Sequence, residues 1–410
     1  MAYIKRAISG VLKQRAKASK VLLLTGARQV GKSTVLNHEF QSHNKVTFDN
    51  RQERLAARQD ATLFFMNNKP PLIIDEVQKE PSILEDIKMM VDETDERGKF
   101  ILSGSQSLSL AKGASESLAG RVSVLSLAGL SMREIKGVEF NKPFVPNEAY
   151  IKAREKHLTS YSNLWDVIFK GSFPEMYASK RTWEDFYSSY VNTYIERDVN
   201  ELIATDGVTF TKFMCVLAAR TGELLNYANV AREVEVSLPT IKTWVSILQR
   251  CGIIYLLAPF YQNTVRRAVK TPKVYFADTG LACYLAGWTQ QNALMRSAVA
   301  GNMFETFCVS EIVKSFQNAG KSFKNRIFFY RGKHGGASSE NEIDLVIEEN
   351  GVLYPVEIKM TSKPLAKMAA ANTALEGIKN KSVATGIILC LCPKKTYLSK
   401  NVLALPVSYV

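Results

Sequence analysis

Val21-Leu22-Leu23-Leu24 is an unbroken apolar run that ends at Thr25, and the residues after it, Gly26-Ala27-Arg28-Gln29-Val30-Gly31-Lys32-Ser33-Thr34, contain the spacing G-x-x-x-x-G-K-[ST]. The run predicts a central parallel strand buried on both faces, and a helix is predicted from near Lys32. Strand, glycine-bounded loop and helix N-terminus in this order are the context the spacing requires. Gly26 and Gly31 let backbone N–H groups curl around phosphate oxygens. The helix N-terminus adds partial positive charge. Lys32 is placed to reach the β- and γ-phosphates, and the Ser33 hydroxyl to ligate Mg²⁺. Residues 26–34 are therefore read as the cradle of a purine nucleoside triphosphate.

A metal bound there needs a carboxylate from a neighbouring strand. Leu72-Ile73-Ile74-Asp75-Glu76 supplies an apolar strand ending in acid, with Asp75 expected on Mg²⁺ and Glu76 expected to polarise the attacking water. Phe100-Ile101-Leu102-Ser103-Gly104-Ser105 is a further strand whose polar tip places Ser103 near a γ-phosphate, or forms an ordinary strand-end turn. A strand is also predicted over Val122 to Leu127. Arg121 before it is either a solvated side chain or a finger that contacts a nucleotide in a neighbouring copy, which requires a homo-oligomer. Alternating strands and helices give a parallel sheet covered on both faces. Ligands bind at the carboxyl ends of such strands, where Gly26, Asp75 and Ser103 all fall.

At 410 residues the chain is long enough for two or three domains. With 46% apolar and 22% charged residues it is globular rather than disordered. The formal net charge of +14 favours an anionic partner, nucleic acid before membrane. The cysteines Cys215, Cys251, Cys283, Cys308, Cys390 and Cys392 form no C-x-x-C pair, so a structural zinc site is not expected. Free thiols in apolar surroundings fit a reducing cytosol. The basic N-terminal stretch lacks the apolar core of a signal peptide, and no apolar run approaches the ~20 residues of a membrane span. A cytoplasmic location without membrane contact follows as the expectation.

Residues 161–205 are predicted helical, with Trp165, Phe169, Phe173, Trp183, Phe186, Tyr187, Tyr190 and Tyr194 as core. Arg197 is read as an ion-pair partner or a nucleotide sensor. Asn226 is placed to cap a helix that turns Val230, Ala231 and Val234 to one side. Ser237 caps the next helix, with Pro239 in its first turn. That helix carries Ile241, Trp244, Val245 and Leu248 on one stripe and Lys242, Ser246, Gln249 and Arg250 on the other face. Helix, turn, helix and strand pair resemble a winged helix. From Glu235 to Asp278 no acidic residue intervenes, while Lys242, Arg250, Arg266, Arg267, Lys270 and Lys273 do. A one-sign stretch around such a helix suits phosphate-backbone binding, with DNA preferred to RNA; packing against protein is the competing reading.

Near the C-terminus, Asn350-Gly351 is a two-residue hairpin signal between Ile343–Ile347 and Val352–Ile358. A two-residue turn sets Asp344 opposite Glu357, at a position where side chains are close, and Lys359 shares the Glu357 face. Facing carboxylates repel, and a divalent cation removes that cost. Asp followed by Glu-x-Lys on adjacent strands resembles the PD-(D/E)xK nucleases. That resemblance implies Mg²⁺ on Asp344 and Glu357 and a catalytic Lys359 that orients water or stabilises developing charge. It also implies a further acid from a preceding helix, for which Glu305, among apolar Cys308, Val309 and Ile312, is the candidate. Arg331, Lys333 and His334 precede Asp344 and are placed to guide phosphate. A helix is predicted from about Leu365 to Ile378, and a strand over Ile387 to Leu391. Pro355 inside the Glu-x-Lys strand puts the register in question or calls for a bulge.

The chain as a whole resembles the AAA+-type ATPases of bacteria and archaea whose C-terminal part is a domain of unknown function. The resemblance is carried by Gly26–Ser33, Ile74-Asp-Glu-Val-Gln78, Leu102-Ser-Gly-Ser105, Tyr194-Ile-Glu-Arg-Asp198, Tyr275-Phe-Ala-Asp-Thr-Gly-Leu281, Glu342-Ile-Asp344 and Val356-Glu-Ile-Lys359. It implies ATP rather than GTP, with Mg²⁺. The expected fold class is α/β. A P-loop parallel sheet occupies residues 1–140, a helical lid and winged helix 141–290, and a small α/β nuclease-like domain 291–410. The expected function is ATP hydrolysis coupled to action on nucleic acid. A Mg²⁺-dependent, ATP-driven DNA nuclease and a signalling or scaffold ATPase with a protein partner are the alternatives.

Overall fold

The computed structural model describes residues 3–105, 117–161, 163–195, 207–261, 270–332 and 341–410, the side chains of 194 and 195 excepted. Strands β1 (Val21–Gly26), β2 (Asn44–Thr47), β3 (Leu72–Asp75), β4 (Phe100–Ser105) and β5 (Val122–Ser126) form a parallel sheet in the order β2-β3-β4-β1-β5. β1 is buried along its whole length. Leu22 and Leu24 join one apolar cluster with Ile8, Leu12, Val35 and Leu36. Val21 and Leu23 join another with Phe64, Ile83 and Ile87. The period-2 alternation of a strand thus feeds two cores from one continuous apolar run.

Residues 164–195 are helical in pieces rather than in one long helix. Leu164–Lys170, Glu175–Ala178 and Trp183–Ser189 are separate helices, followed by π-helical turns over Tyr190–Ile195. Gly171, at φ +81°, ends the first, and Pro174 opens the second. Phe173, Phe186, Tyr187 and Tyr190 are buried as core. Arg197 lies outside the described residues.

Helices Gly207–Ala218, Tyr227–Val234 and Leu238–Arg250 precede an antiparallel pair, β6 (Ile254–Leu257) and β7 (Lys273–Phe276). The Asn226 side chain accepts from Asn229 N–H and Ser237 from Thr240 N–H, so both caps form where the sequence puts them. Ile241, Trp244, Val245 and Leu248 are buried, while Lys242, Thr243 and Arg250 stay exposed. Arg266 and Arg267 lie outside the described residues. Beyond β6 the chain continues alongside the next sheet: Phe260 N–H donates to Phe329 O at 2.6 Å.

β8 (Ile327–Gly332), β9 (Asn341–Glu349), β10 (Val352–Lys359), β11 (Ser382–Val383), β12 (Gly386–Cys390), β13 (Thr396–Ser399) and β14 (Val402–Pro406) form a mixed sheet ordered β13-β14-β12-β10-β9-β8, with β11 also on β10. The hairpin register is the one Asn350-Gly351 dictates, from Val352↔Glu349 to Val356↔Leu345. Pro355 neither shifts it nor needs a bulge. On its other edge β10 pairs with β11 at Val352 and Leu353 and with β12 from Val356 onward. The missing N–H therefore falls in the gap between two partners. Residues Ala366–Leu375 form 3₁₀ turns that break at Ala369 instead of the expected α-helix. Only Ala369, Ala374 and Leu375 are buried there, too thin a stripe for packing to hold a long helix. The 19-residue helix Ala300–Asn318 is buried on nearly every side. One apolar cluster holds residues from the parallel sheet, the helical middle and the mixed sheet together. Among the described residues no helix is long and apolar enough to cross a membrane.

Candidate nucleotide site and the C-terminal charge cluster

The loop after β1 is shaped by close approach. A Cβ on Gly26 would lie 2.3 Å from the Leu127 carbonyl oxygen, so only glycine fits. Gly31 has φ +91° immediately before the helix Lys32–Glu39, a backbone state that costs other residues strain. The loop borders a cavity of about 770 Å³, with Arg28, Gln29, Gly31, Lys32, Ser33 and Thr34 on one wall. Ala27 and Val30 turn the other way, into the core. Lys32 is buried, and its Nζ donates to Gly26 O at 3.1 Å and Ala27 O at 2.9 Å. These are loop carbonyls that phosphate oxygens can replace.

Asp75, Ser33 and Ser103 converge as the sequence predicts. Ser33 Oγ donates to Asp75 Oδ2 at 2.5 Å, and Ser103 Oγ to Asp75 Oδ1. Hydroxyl and carboxylate oxygens in one place are the hard donor set that Mg²⁺ prefers, so the residues present fit that ion. Glu76 lines the cavity with φ +55°, uncommon for a side chain of its size. Gln78 Nε2 donates both to Glu76 Oε2 and to Ser105 Oγ, which fixes the direction of the carboxylate. Arg121 is elsewhere. It sits before the first residue of β5, at the end of the sheet opposite Gly26, and its guanidinium pairs with Asp92. Five residues of β5 separate it from the loop end, roughly 16 Å.

Sequence reasoning missed five contributors. Pro174, Ala178 and Arg181 bring the helical middle to the far wall of the cavity. Arg6, before the first helix, is buried against the loop and pairs with Glu134 at 2.9 Å. A signal existed for Glu134, because Ser131-Met-Arg-Glu134 is a capping-box pattern and forms one.

The C-terminal residues also meet. Lys359 Nζ stands 2.9 Å from Asp344 Oδ2 and 2.8 Å from Glu357 Oε2. Asp344 Oδ2 also accepts from Ile358 N–H at 2.8 Å. Burial, then the Asp344 charge, push the Glu357 carboxyl up to about 8. Burial works against the Lys359 ammonium, but Asp344 and Glu357 outweigh it and hold it charged. Glu305 accepts from Tyr275 Oη at 2.6 Å and pairs with Lys273 at 3.3 Å. Burial and then Asp344 raise its pKa. Lys273, on β7, also reaches Glu342 at 2.7 Å. Lys359 and Lys273 stand among these carboxylates, while Glu357 Oε1 is buried with no hydrogen-bond partner. Among the described residues, no three acidic, histidine or cysteine side chains are placed to hold one. Arg331 is the fifth residue of β8, paired with Glu342, rather than a loop residue; Lys333 and His334 lie outside the described residues.

Residues 18–136 match an AAA domain, residues 161–292 a domain of unknown function (DUF8612), and residues 300–410 a second domain of unknown function (DUF4143). The chain is 28% identical over 367 residues to uncharacterized proteins of Mycobacterium tuberculosis and Mycobacterium bovis, covering 88% of this chain and 75% of each relative. Among solved structures it is similar to a Walker-type ATPase of Pyrococcus abyssi, with a TM-score of 0.39, 16% identity, and coverage of 68% of this chain and 94% of that one. The Gly26–Thr34 loop, Asp75 and Ser103 all lie inside the stretch that matches the AAA domain.

Proposed function

We propose that the protein hydrolyses ATP at the Gly26–Thr34 loop and couples hydrolysis to engagement of nucleic acid through the helix Leu238–Arg250. The observation that carries the first half is the orientation of Asp75 by Ser33 and Ser103 beside the loop. Lys32 exchanges its loop carbonyls for the β- and γ-phosphate oxygens. Glu76, steered by Gln78, accepts a proton from the water that attacks the γ-phosphate. Ser33 and Asp75 would hold Mg²⁺, which would supply neutralisation of the charge on the phosphates.

What supports the second half is the face left open. Three helices and an antiparallel strand pair follow the winged-helix order, and the helix that would enter a groove keeps Lys242, Thr243 and Arg250 in solvent. Lys270, at the base of the strand connection, is exposed as well. The exposed cations Lys242, Arg250 and Lys270 suit a phosphate backbone.

The C-terminal domain is assigned a binding role, with cleavage at Asp344, Glu357 and Lys359 as the alternative that the buried, unpartnered Glu357 Oε1 keeps open. Labelled duplex DNA incubated with the protein, Mg²⁺ and ATP should remain intact while raising the ATPase rate. Cleavage that disappears in Asp344→Ala would restore the nuclease reading. ATPase activity indifferent to DNA, with no DNA binding at low salt, would favour a protein partner.

A further inference from the structure

We infer that Arg6 is a positioning residue for the phosphate loop, acting on its backbone. This rests on the nucleotide-site reading above. The guanidinium is buried, and each nitrogen is engaged. Nη1 donates to Val30 O at 2.7 Å. Nη2 donates to Ala128 O at 2.7 Å and Gly129 O at 3.3 Å. Nε donates to Glu134 Oε1 at 2.9 Å. These contacts take four of the five guanidinium N–H donors.

Its effect follows from the peptide plane. The bond between Val30 and Gly31 is planar and trans, so the Val30 carbonyl and the Gly31 N–H point in opposite directions. Pinning the carbonyl toward Arg6 turns the Gly31 N–H away from the guanidinium and fixes its direction. Gly31 lacks a Cβ and, at φ +91°, does not hold this orientation by itself. The other anchors are equally firm. Glu134 Oε1 also accepts Ala7 N–H at 2.8 Å, and Glu134 Oε2 accepts Ser131 N–H at 2.7 Å. The strut thus spans the N-terminal arm, the loop and the segment after β5, and it sets one loop amide before any ligand arrives. Fixing donors in advance lowers the ordering cost of binding.

A loop amide meets the phosphates of ADP and ATP alike, so the loss should fall on binding rather than on turnover. The probe is mant-ADP, titrated into the full chain without Mg²⁺, alongside ATPase kinetics and thermal melting. Arg6→Lys keeps the charge for Glu134 but cannot span three carbonyls. Its Kd for mant-ADP should rise roughly tenfold, with KM for ATP rising in parallel and kcat within about twofold. Glu134→Gln keeps Arg6 on its carbonyls. It should lower the melting midpoint yet leave Kd within about threefold. The proposal is overturned if folded Arg6→Lys binds mant-ADP as wild type does. It is also overturned if Kd tracks the melting midpoint equally in both variants, or if kcat falls at unchanged KM. Failure of wild type itself to bind mant-ADP would instead remove the nucleotide site, and Arg6 with it.

Discussion

Ser33 Oγ donates to Asp75 Oδ2 at 2.5 Å, which ties the second residue of the loop helix to the last residue of β3. With Ser103 on the other oxygen, the carboxylate is oriented before metal arrives. Asp75→Asn keeps the shape and removes the charge. Binding of mant-ADP in EDTA should stay within about threefold of wild type, while Mg²⁺-dependent hydrolysis falls on the order of 100-fold. Equal losses in both assays would mean Asp75 supports the loop rather than the metal.

The C-terminal cluster carries a pH dependence. The Glu357 carboxyl titrates near 8 in the folded chain, against an ordinary value of 4.5. Between those values the folded state holds a proton that the unfolded state has lost, so stability falls as pH rises through this window. Thermal melting from pH 5 to 9 should show a midpoint that declines in wild type and declines less in Glu357→Gln. A steeper decline in the variant would contradict the raised value.

Lys359 bridges Asp344 and Glu357. Lys359→Met leaves two facing carboxyls without their cation and should cost about 1–3 kcal/mol, less than a fully buried pair because the ammonium is partly exposed. Adding Asp344→Asn should recover part of the loss in denaturant unfolding. A variant as stable as wild type, with Mg²⁺ raising its stability, would point to a metal in the lysine's place.

Nucleic-acid engagement is read from salt dependence. Wild type should bind duplex DNA with an affinity that falls linearly against log salt. Lys242→Glu should weaken binding roughly tenfold and flatten the slope by about one to two. A slope near zero would remove the phosphate-backbone contact.

Much of this site is written locally in the sequence. The loop, its strand and the acids at the end of β3 are contiguous motifs, and the Asn350-Gly351 turn fixes the hairpin register as far as Val356↔Leu345 because a two-residue turn leaves no freedom of register. The caps Asn226 and Ser237 are equally local. What could not be read joins distant segments. Arg6 meets Glu134, and Lys273 meets Glu305 and Glu342, only after the chain has folded. A lysine in a basic stretch reads as surface charge until two acids are seen on it. The breaks in residues 164–195 and 366–375 depend on how much of each segment finds a partner to bury it, which propensity does not report.

The central claim is hydrolysis at the Gly26–Thr34 loop, and Lys32 tests it most directly. ATP turnover with Mg²⁺ should be measured for wild type, Lys32→Ala and Glu76→Gln, with nucleotide binding in parallel. Lys32→Ala should abolish turnover, and Glu76→Gln should bind ATP but not turn it over. Unchanged hydrolysis in Lys32→Ala would contradict the account.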